Sequence, residues 1–392
     1  MGKELSLYIH IPFCLSKCSY CDFFSTVCNA SVPSSYLLAL KNEISDKIKR
    51  FDISSFTTLY IGGGTPSLLS KNQLKDLFDF LNPYISSCKE ISMEVNPDDL
   101  NEDYISFLNR LPVTRLSCGI QSLNEESLSS VKRRAGLKEN LKALELLHNK
   151  WKKDFSIDLI CALPFESSQT FTDGLKKIFE YRPSHISLYS LTLEEGTRLF
   201  NEVQKGLIKI DNDFMDELWL QSRALLKEQG YEQYEVSNFS KKGKESLHNL
   251  VYWNHLSYIG CGLSACGTLY NEDGSAKRFN NKNDLSNYIN FYWQKYGEQG
   301  QDYELVEDCE EIDIETSVYE YFMMGFRKLS GISSKDFYNK FKISLPQKYI
   351  EVFKDWENKG LLVSEKNEDD IRFFLNSEGI LFLNKFLEDL LF

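Results

Sequence analysis

The sequence predicts an α/β protein: a partial (β/α)6 barrel followed by a small winged-helix-like α+β domain. Three observations point to it. Six short apolar runs are each followed by helically spaced apolar residues, the pattern of parallel strands covered by helices. Each run ends in a chemically pointed residue, as barrel strands do at their C-terminal, active face. Beyond residue 316, helical patterns precede a hairpin. Three tracts are expected: a barrel over 1–230, an aromatic and Gly-rich extension and connector over 231–316, and the winged-helix-like domain over 317–392.

The first strand, Ser6–Ile11, runs into Cys14 and precedes a helix near Tyr36–Arg50. The second, Thr57–Ile61, runs into Gly62-Gly63-Gly64 and precedes Leu74–Leu81. The third, Glu90–Glu94, ends on its carboxylate, and the fourth, Arg115–Gly119, reaches Gln121 before a helix near Glu139–Asn149. The fifth, Phe155–Ile160, carries Asp158 and precedes Phe171–Tyr181. The sixth, His185–Leu188, reaches Tyr189 and Thr192, with a helix near Asp213–Gln229 later. Six units rather than eight leave the barrel incomplete. Residues 231–270 are rich in aromatics, Gly and Ser, with Gly260–Gly267 expected as a loop lining the mouth. Residues 271–316 read as a polar connector with some helix. A helix over Tyr319–Arg327, another near Lys348–Asn358, a hairpin of Gly360–Ser364 with Ile371–Leu375 and a terminal helix complete the chain.

With 392 residues the chain buries a sizeable core without disulfide staples. A net charge of −12 repels a phosphate backbone and excludes a dedicated nucleic-acid binder. Residues 311–392 carry 11 Lys and Arg against 15 Asp and Glu, so the winged helix is not a basic DNA reader. No apolar run is long enough to span a bilayer. The N-terminus lacks the cationic start and long apolar run of a signal peptide, so a cytoplasmic protein is expected. In that reducing setting, clustered cysteines among the ten point to metal and scattered ones to core.

Cys14-x3-Cys18-x2-Cys21 is the most specific signal. Ser16, Lys17, Ser19 and Tyr20 between them are too polar for a core segment. Thiolates at this spacing can wrap one face of an iron–sulfur cluster, and three ligands instead of the usual four leave one iron open. Structural zinc completed by His10 or Cys28 is the alternative. Gly62–Gly64 is a tight turn or a place where backbone approaches a ligand. Glu94 is a solvated strand end or an acceptor for an ammonium group. Arg133 lies in a basic run, Lys132-Arg133-Arg134, of the kind that forms a solvated face. Asp158 sits inside an apolar strand, where an unpartnered carboxylate is costly. His248 is a satisfied polar residue or an imidazole ligand.

Tyr8-Ile9-His10-Ile11-Pro12-Phe13-Cys14 with Cys18-Ser19-Tyr20-Cys21 resembles the opening of radical S-adenosylmethionine (SAM) proteins. The likeness extends through Gly62-Gly63-Gly64-Thr65-Pro66, Glu94-Val95-Asn96-Pro97, Arg115–Ser122 and Asp158–Pro164. It is similar in particular to the oxygen-independent coproporphyrinogen III oxidase group, and within it to the heme chaperone branch. The resemblance implies a radical SAM barrel with a [4Fe-4S] cluster on Cys14, Cys18 and Cys21. It implies SAM along Gly63, Gly64 and Thr65, with Glu94, Gln121, Arg133 and Asp158 holding it and Tyr8 and Thr192 contributing. His248, in His-Asn-Leu-Val-Tyr-Trp, is implied as a heme-binding residue.

The oxidase branch has a fourth cysteine two residues after the third, where this chain has Phe23, and a longer N-terminal extension than the 13 residues before Cys14. Many relatives have histidine at the position of Cys266. On the chaperone branch the protein binds heme and passes it to apo-hemoproteins, without coproporphyrinogen decarboxylation. A reductant such as a flavodoxin, peripheral contact with membrane heme proteins and a homodimer are further expectations. The alternatives are the oxidase itself, or another radical SAM enzyme generating a 5′-deoxyadenosyl radical.

Overall fold

The strand β1 (Lys3–Ile11) shows how the barrel is built. Leu5, Leu7, Ile9 and Ile11 are at most 6% exposed. Ser6, Tyr8 and His10 alternate to the opposite face, because successive strand side chains point apart. The computed structural model, which describes residues 2–28, 31–294 and 306–391, repeats this alternation around the barrel. The further strands are β2 (Ile53–Gly63), β3 (Glu90–Val95), β4 (Arg115–Gln121), β5 (Asp154–Cys161) and β6 (His185–Ser190). Leu59, Met93, Leu116, Ile157 and Leu188 join an outer core with helices α1 (Ser34–Arg50), α2 (Lys71–Ile85), α3 (Leu137–Lys150), α4 (Ser168–Glu180) and α5 (Asn212–Glu228). Truncating one of these leucines to alanine costs about 2–5 kcal/mol. Local signals set the helix ends; Ser70 and Gln73 form a reciprocal capping box that starts α2.

Six further strands extend the sheet: β7 (Glu232–Gln233), β8 (Asn238–Ser240), β9 (Tyr258–Cys261), β10 (Cys266–Tyr270), β11 (Ala276–Asn281) and β12 (Glu307–Ile312). Among the described residues the order is β12-β11-β10-β9-β1-β2-β3-β4-β5-β6-β8-β7. Strands β9 and β1 to β6 are parallel, and the outer ones are antiparallel. The open, largely parallel barrel is therefore wider than six strands.

This corrects two expectations. Gly260–Gly267 is a loop only over Gly262–Ala265: Gly260 pairs with Tyr8, Cys266 pairs with Asn280, and none of the eight lines the barrel's cavity. Residues 271–316 are not only a connector, since β11 and β12 pair along their length. Their polar side chains disguise an edge sheet, which needs apolar residues on one face alone. The part of that tract at 295–305 lies outside the described residues.

Helix α6 (Leu247–Trp253) packs against β2 and β3, and the segment before it reaches β4. Glu90 accepts hydrogen bonds from the amides of Leu247 and His248, and Arg115 donates to the carbonyls of Lys244 and Glu245. The C-terminal unit comprises α7 (Ile314–Gly325), β13 (Ile332–Ser333), α8 (Ser334–Phe341), α9 (Gln347–Asn358), β14 (Leu362–Lys366), β15 (Ile371–Leu375) and α10 (Leu383–Leu391). Helices followed by a hairpin match the winged-helix-like expectation, with β13 added beside β15. It has its own core, in which Phe326 meets Phe386 edge-on at 4.6 Å. No helix among the described residues is long and apolar enough to cross a membrane.

Candidate functional site

Inside the barrel the strands present polar side chains: Tyr60, Glu94, Ser117, Asp158, Ser187 and Tyr189 line a cavity of about 420 Å³. That volume suits a small organic ligand. The loop after β1 closes one end with Cys14, Cys18 and Cys21, none of them in a disulfide. The Ser19 amide donates to the Val131 carbonyl at 3.0 Å, and the Cys28 amide to the Cys14 carbonyl at 2.9 Å, pinning the loop.

Glycines set how closely that loop packs. Gly63 has φ +120°, and a Cβ there would lie 2.8 Å from the His10 ring. A Cβ on Gly64 would lie 2.7 Å from the Phe13 carbonyl oxygen and 2.9 Å from Cys14 Sγ. Thr65 Oγ1 donates to Cys14 Sγ at 3.5 Å, and Arg133 Nη1 to Cys18 Sγ at 3.6 Å. Arg133 Nη2 also donates to Asn96 Oδ1 at 2.9 Å and to the Gly119 carbonyl at 2.5 Å. Arg133 is therefore no solvated surface charge. Its Nε is buried without a partner.

Two carboxylates face the cavity. Glu94 accepts from Tyr60 Oη at 2.9 Å and from the Gly63 amide at 3.1 Å. Burial, then the nearby Asp158, pushes it up to about 7. Asp158 accepts from Ser117 Oγ at 2.9 and 3.0 Å, and burial raises it too. A cationic ligand with hydroxyl donors would relieve both. Gln121, beside Arg133, holds φ +66°, and Ala162 and Phe165 beyond β5 hold +61° and +66°. Such backbone strain concentrates at functional sites.

Gly63, Gly64, Thr65, Glu94, Gln121, Arg133, Asp158 and Thr192 all lie on this wall with the three cysteines. Two expected residues do not. Tyr8 stands behind it, stacked on Tyr60 at 6.1 Å with its hydroxyl bonded to His10 Nδ1 at 2.9 Å. His248 is 1% exposed, and both its ring nitrogens are engaged, Nδ1 with Thr58 Oγ1 and Nε2 with Tyr252 Oη, each at 2.8 Å. As folded, neither nitrogen is free for iron. His10 does not complete a zinc site, since its Nε2 bonds the Phe24 carbonyl at 3.2 Å.

A model of the radical SAM superfamily matches residues 8–178. The heme chaperone HemW of Bacillus subtilis is 33% identical over 361 residues, 91% of this chain and 92% of that protein. The chain belongs to the radical SAM superfamily, in the HemW family. HemW of Escherichia coli is 34% identical over 85% of each chain. A radical SAM structure, coproporphyrinogen III oxidase (HemN) of Escherichia coli, has the same fold with a TM-score of 0.78, covering 99% of this chain and 90% of that one at 20% identity.

A radical SAM fold implies a [4Fe-4S] cluster and SAM, and the residues fit both. Three unbridged thiols share one wall, Gly64 leaves room beside Cys14, and Arg133 Nε lacks a partner. Cys14, Cys18 and Cys21 would hold the cluster. Glu94 would take an ammonium group, Asp158 hydroxyls, and Arg133 an acceptor oxygen. When bound, the two cofactors supply one-electron cleavage of a sulfonium bond. The protein's own part is to fix the ligand against these groups and exclude water.

The sequence reading missed the deeper wall: Tyr60, Arg115, Ser117, Ser156, His185 and Asn249. Period-two alternation of Tyr, Arg, Ser and His within the strands was the available signal for the first five, while Asn249, on α6, gave none.

Proposed function

We propose that this chain is a cytoplasmic heme chaperone that binds heme and passes it to apo-hemoproteins. The observation that carries the reading is similarity to proteins named heme chaperone HemW over 85–98% of the chain, barrel and C-terminal unit alike. Phe23, 68% exposed on the cavity wall where the oxidase branch has cysteine, supports it. The cluster and SAM then serve assembly or transfer, with a flavodoxin-like reductant. Peripheral contact with membrane heme proteins and a homodimer belong to the same reading.

A second reading is a radical SAM enzyme acting on a porphyrinogen or another small molecule. The polar wall favours it, since the cavity continues past Asp158 to Arg115 and His185. The test is anaerobic incubation of the reconstituted protein with SAM, reductant and coproporphyrinogen III, beside an active oxidase. Protoporphyrinogen at catalytic turnover decides for the enzyme. Its absence, together with stoichiometric heme uptake and transfer to an apo-acceptor, decides for the chaperone.

A further inference from the structure

The seam between α6 and the C-terminal unit holds an unusual group of residues. His255, just past α6, is 1% exposed, and neither of its ring nitrogens has a partner. The other buried histidines differ: His10, His185 and His248 each have both nitrogens hydrogen-bonded. The His255 ring lies 3.9 Å from Tyr270 and meets Tyr321 edge-on at 5.8 Å. Its backbone is strained, with φ +54°.

The C-terminal unit brings three cations to the same seam. Lys340 Nζ donates to the His255 carbonyl at 2.6 Å and sits 4.1 Å from the Tyr270 ring centre. Lys328 Nζ donates to Asn254 Oδ1 at 2.5 Å. Arg327 lies over Trp253 at 5.4 Å, while its Nε and the indole Nε1 are both buried without partners. Burial pushes Lys328 and Lys340 down to about 8. Acidic groups are also near: the buried Glu235 interacts with Arg327, Asp336 acts on Lys328, and Glu320 binds Arg278 at 2.7 Å.

Each unpartnered buried polar atom costs about 1–3 kcal/mol, so the closed seam is held less firmly than its aromatic packing suggests. A ligand that satisfies these atoms draws the population toward an open form. The unmet needs are an electron-pair acceptor for an imidazole and a partner for the Arg327 Nε, set among aromatic rings, while Lys328 and Lys340, each bound now to one neutral oxygen, stand ready for anionic oxygens. Ferric heme supplies these through its iron and propionates, with its flat ring among the aromatic ones. We propose that this seam opens to bind heme, with His255 as an axial ligand and Arg327, Lys328 and Lys340 facing the propionates. The proposal rests on the chaperone reading and gives it a site apart from the SAM cavity. His255 is neutral as ligation requires, since burial, then Lys340, pushes it down to about 2.

The test is a titration of the reconstituted full-length protein with ferric heme, read as absorption difference spectra against the cluster-loaded protein. His255→Asn is the main variant, because asparagine tolerates positive φ. It is expected to weaken heme binding at least about tenfold and change the Soret band. Heme dimethyl ester, without anionic propionates, is expected to bind wild type about tenfold more weakly than heme, a difference that Lys328→Met with Lys340→Met removes. In His255→Gly, added imidazole is expected to restore the wild-type spectrum, which a purely structural histidine would not require. A wild-type spectrum and affinity in His255→Asn overturns the site while leaving the chaperone reading intact. No heme uptake by wild type overturns both.

Discussion

Tyr60 Oη donates to Glu94 Oε1 at 2.9 Å, so the carboxylate that faces the cavity is held by a neighbouring strand. Glu94 stays pushed up to about 7 despite this bond, because burial and Asp158 outweigh it. In the free protein it is protonated below that pH and attracts an ammonium group poorly. SAM binding, measured by equilibrium dialysis, is expected to strengthen as the pH rises from about 6 to about 8. Glu94→Gln is expected to weaken binding at least about tenfold at the upper pH and flatten the profile. A flat wild-type profile contradicts this placement of the ammonium group.

Gly64→Ala puts a Cβ 2.9 Å from Cys14 Sγ and 2.7 Å from a backbone oxygen that cannot move aside. The expected result is a folded protein whose iron and sulfide content falls by more than about half, with a loss of about 1–3 kcal/mol in stability. Full cluster content by iron assay and absorption shows that the loop tolerates the methyl.

Cys14→Ala, Cys18→Ala and Cys21→Ala are each expected to abolish cluster assembly. Cys28→Ala and Cys266→Ala are expected to leave it intact, because neither residue lines the cavity. Iron and sulfide analysis after reconstitution distinguishes the two groups. Loss of the cluster in Cys28→Ala is the outcome that rules out three-thiol ligation.

His248, buried between Thr58 and Tyr252, is pushed down to about 3 by burial. Below the unfolded value of about 6.5, the unfolded chain binds a proton that the folded chain refuses, so stability falls as pH drops from there toward 3. By pH 5 the expected loss from this residue is about 2 kcal/mol. His248→Gln is expected to lower stability at neutral pH and to show a shallower acid decline in urea melts. Parallel declines for variant and wild type refute a buried neutral imidazole.

Much of this was legible in the sequence where local pattern determines structure. The strand containing Ile157 and Leu159 announces itself by its apolar residues, and Asp158 stands out because a carboxylate there demands a partner. The cysteine spacing carries its chemistry within eight consecutive residues, whatever the tertiary fold. From its basic neighbours alone Arg133 looks like a solvated face, and only the resemblance puts it at the site, because it is the fold that brings it to Asn96 and Gly119. Strands β11 and β12 were illegible for a related reason: their pairing is tertiary, and Lys277 and Glu311 look like connector residues until they face one another. His248 stays undecided in the sequence between a satisfied polar residue and a ligand, because its partner Thr58 is 190 residues away.

On the chaperone reading, this radical SAM scaffold handles heme rather than decarboxylating a porphyrinogen. The most direct test of that reading is transfer: the reconstituted protein is loaded with ferric heme, separated from free heme, and mixed with an apo-hemoprotein whose holo spectrum is distinct. The expected result is about one heme bound per chain and its appearance in the acceptor, with no protoporphyrinogen formed from coproporphyrinogen III in a parallel reaction. Catalytic protoporphyrinogen formation, with heme neither held nor passed on, contradicts the account.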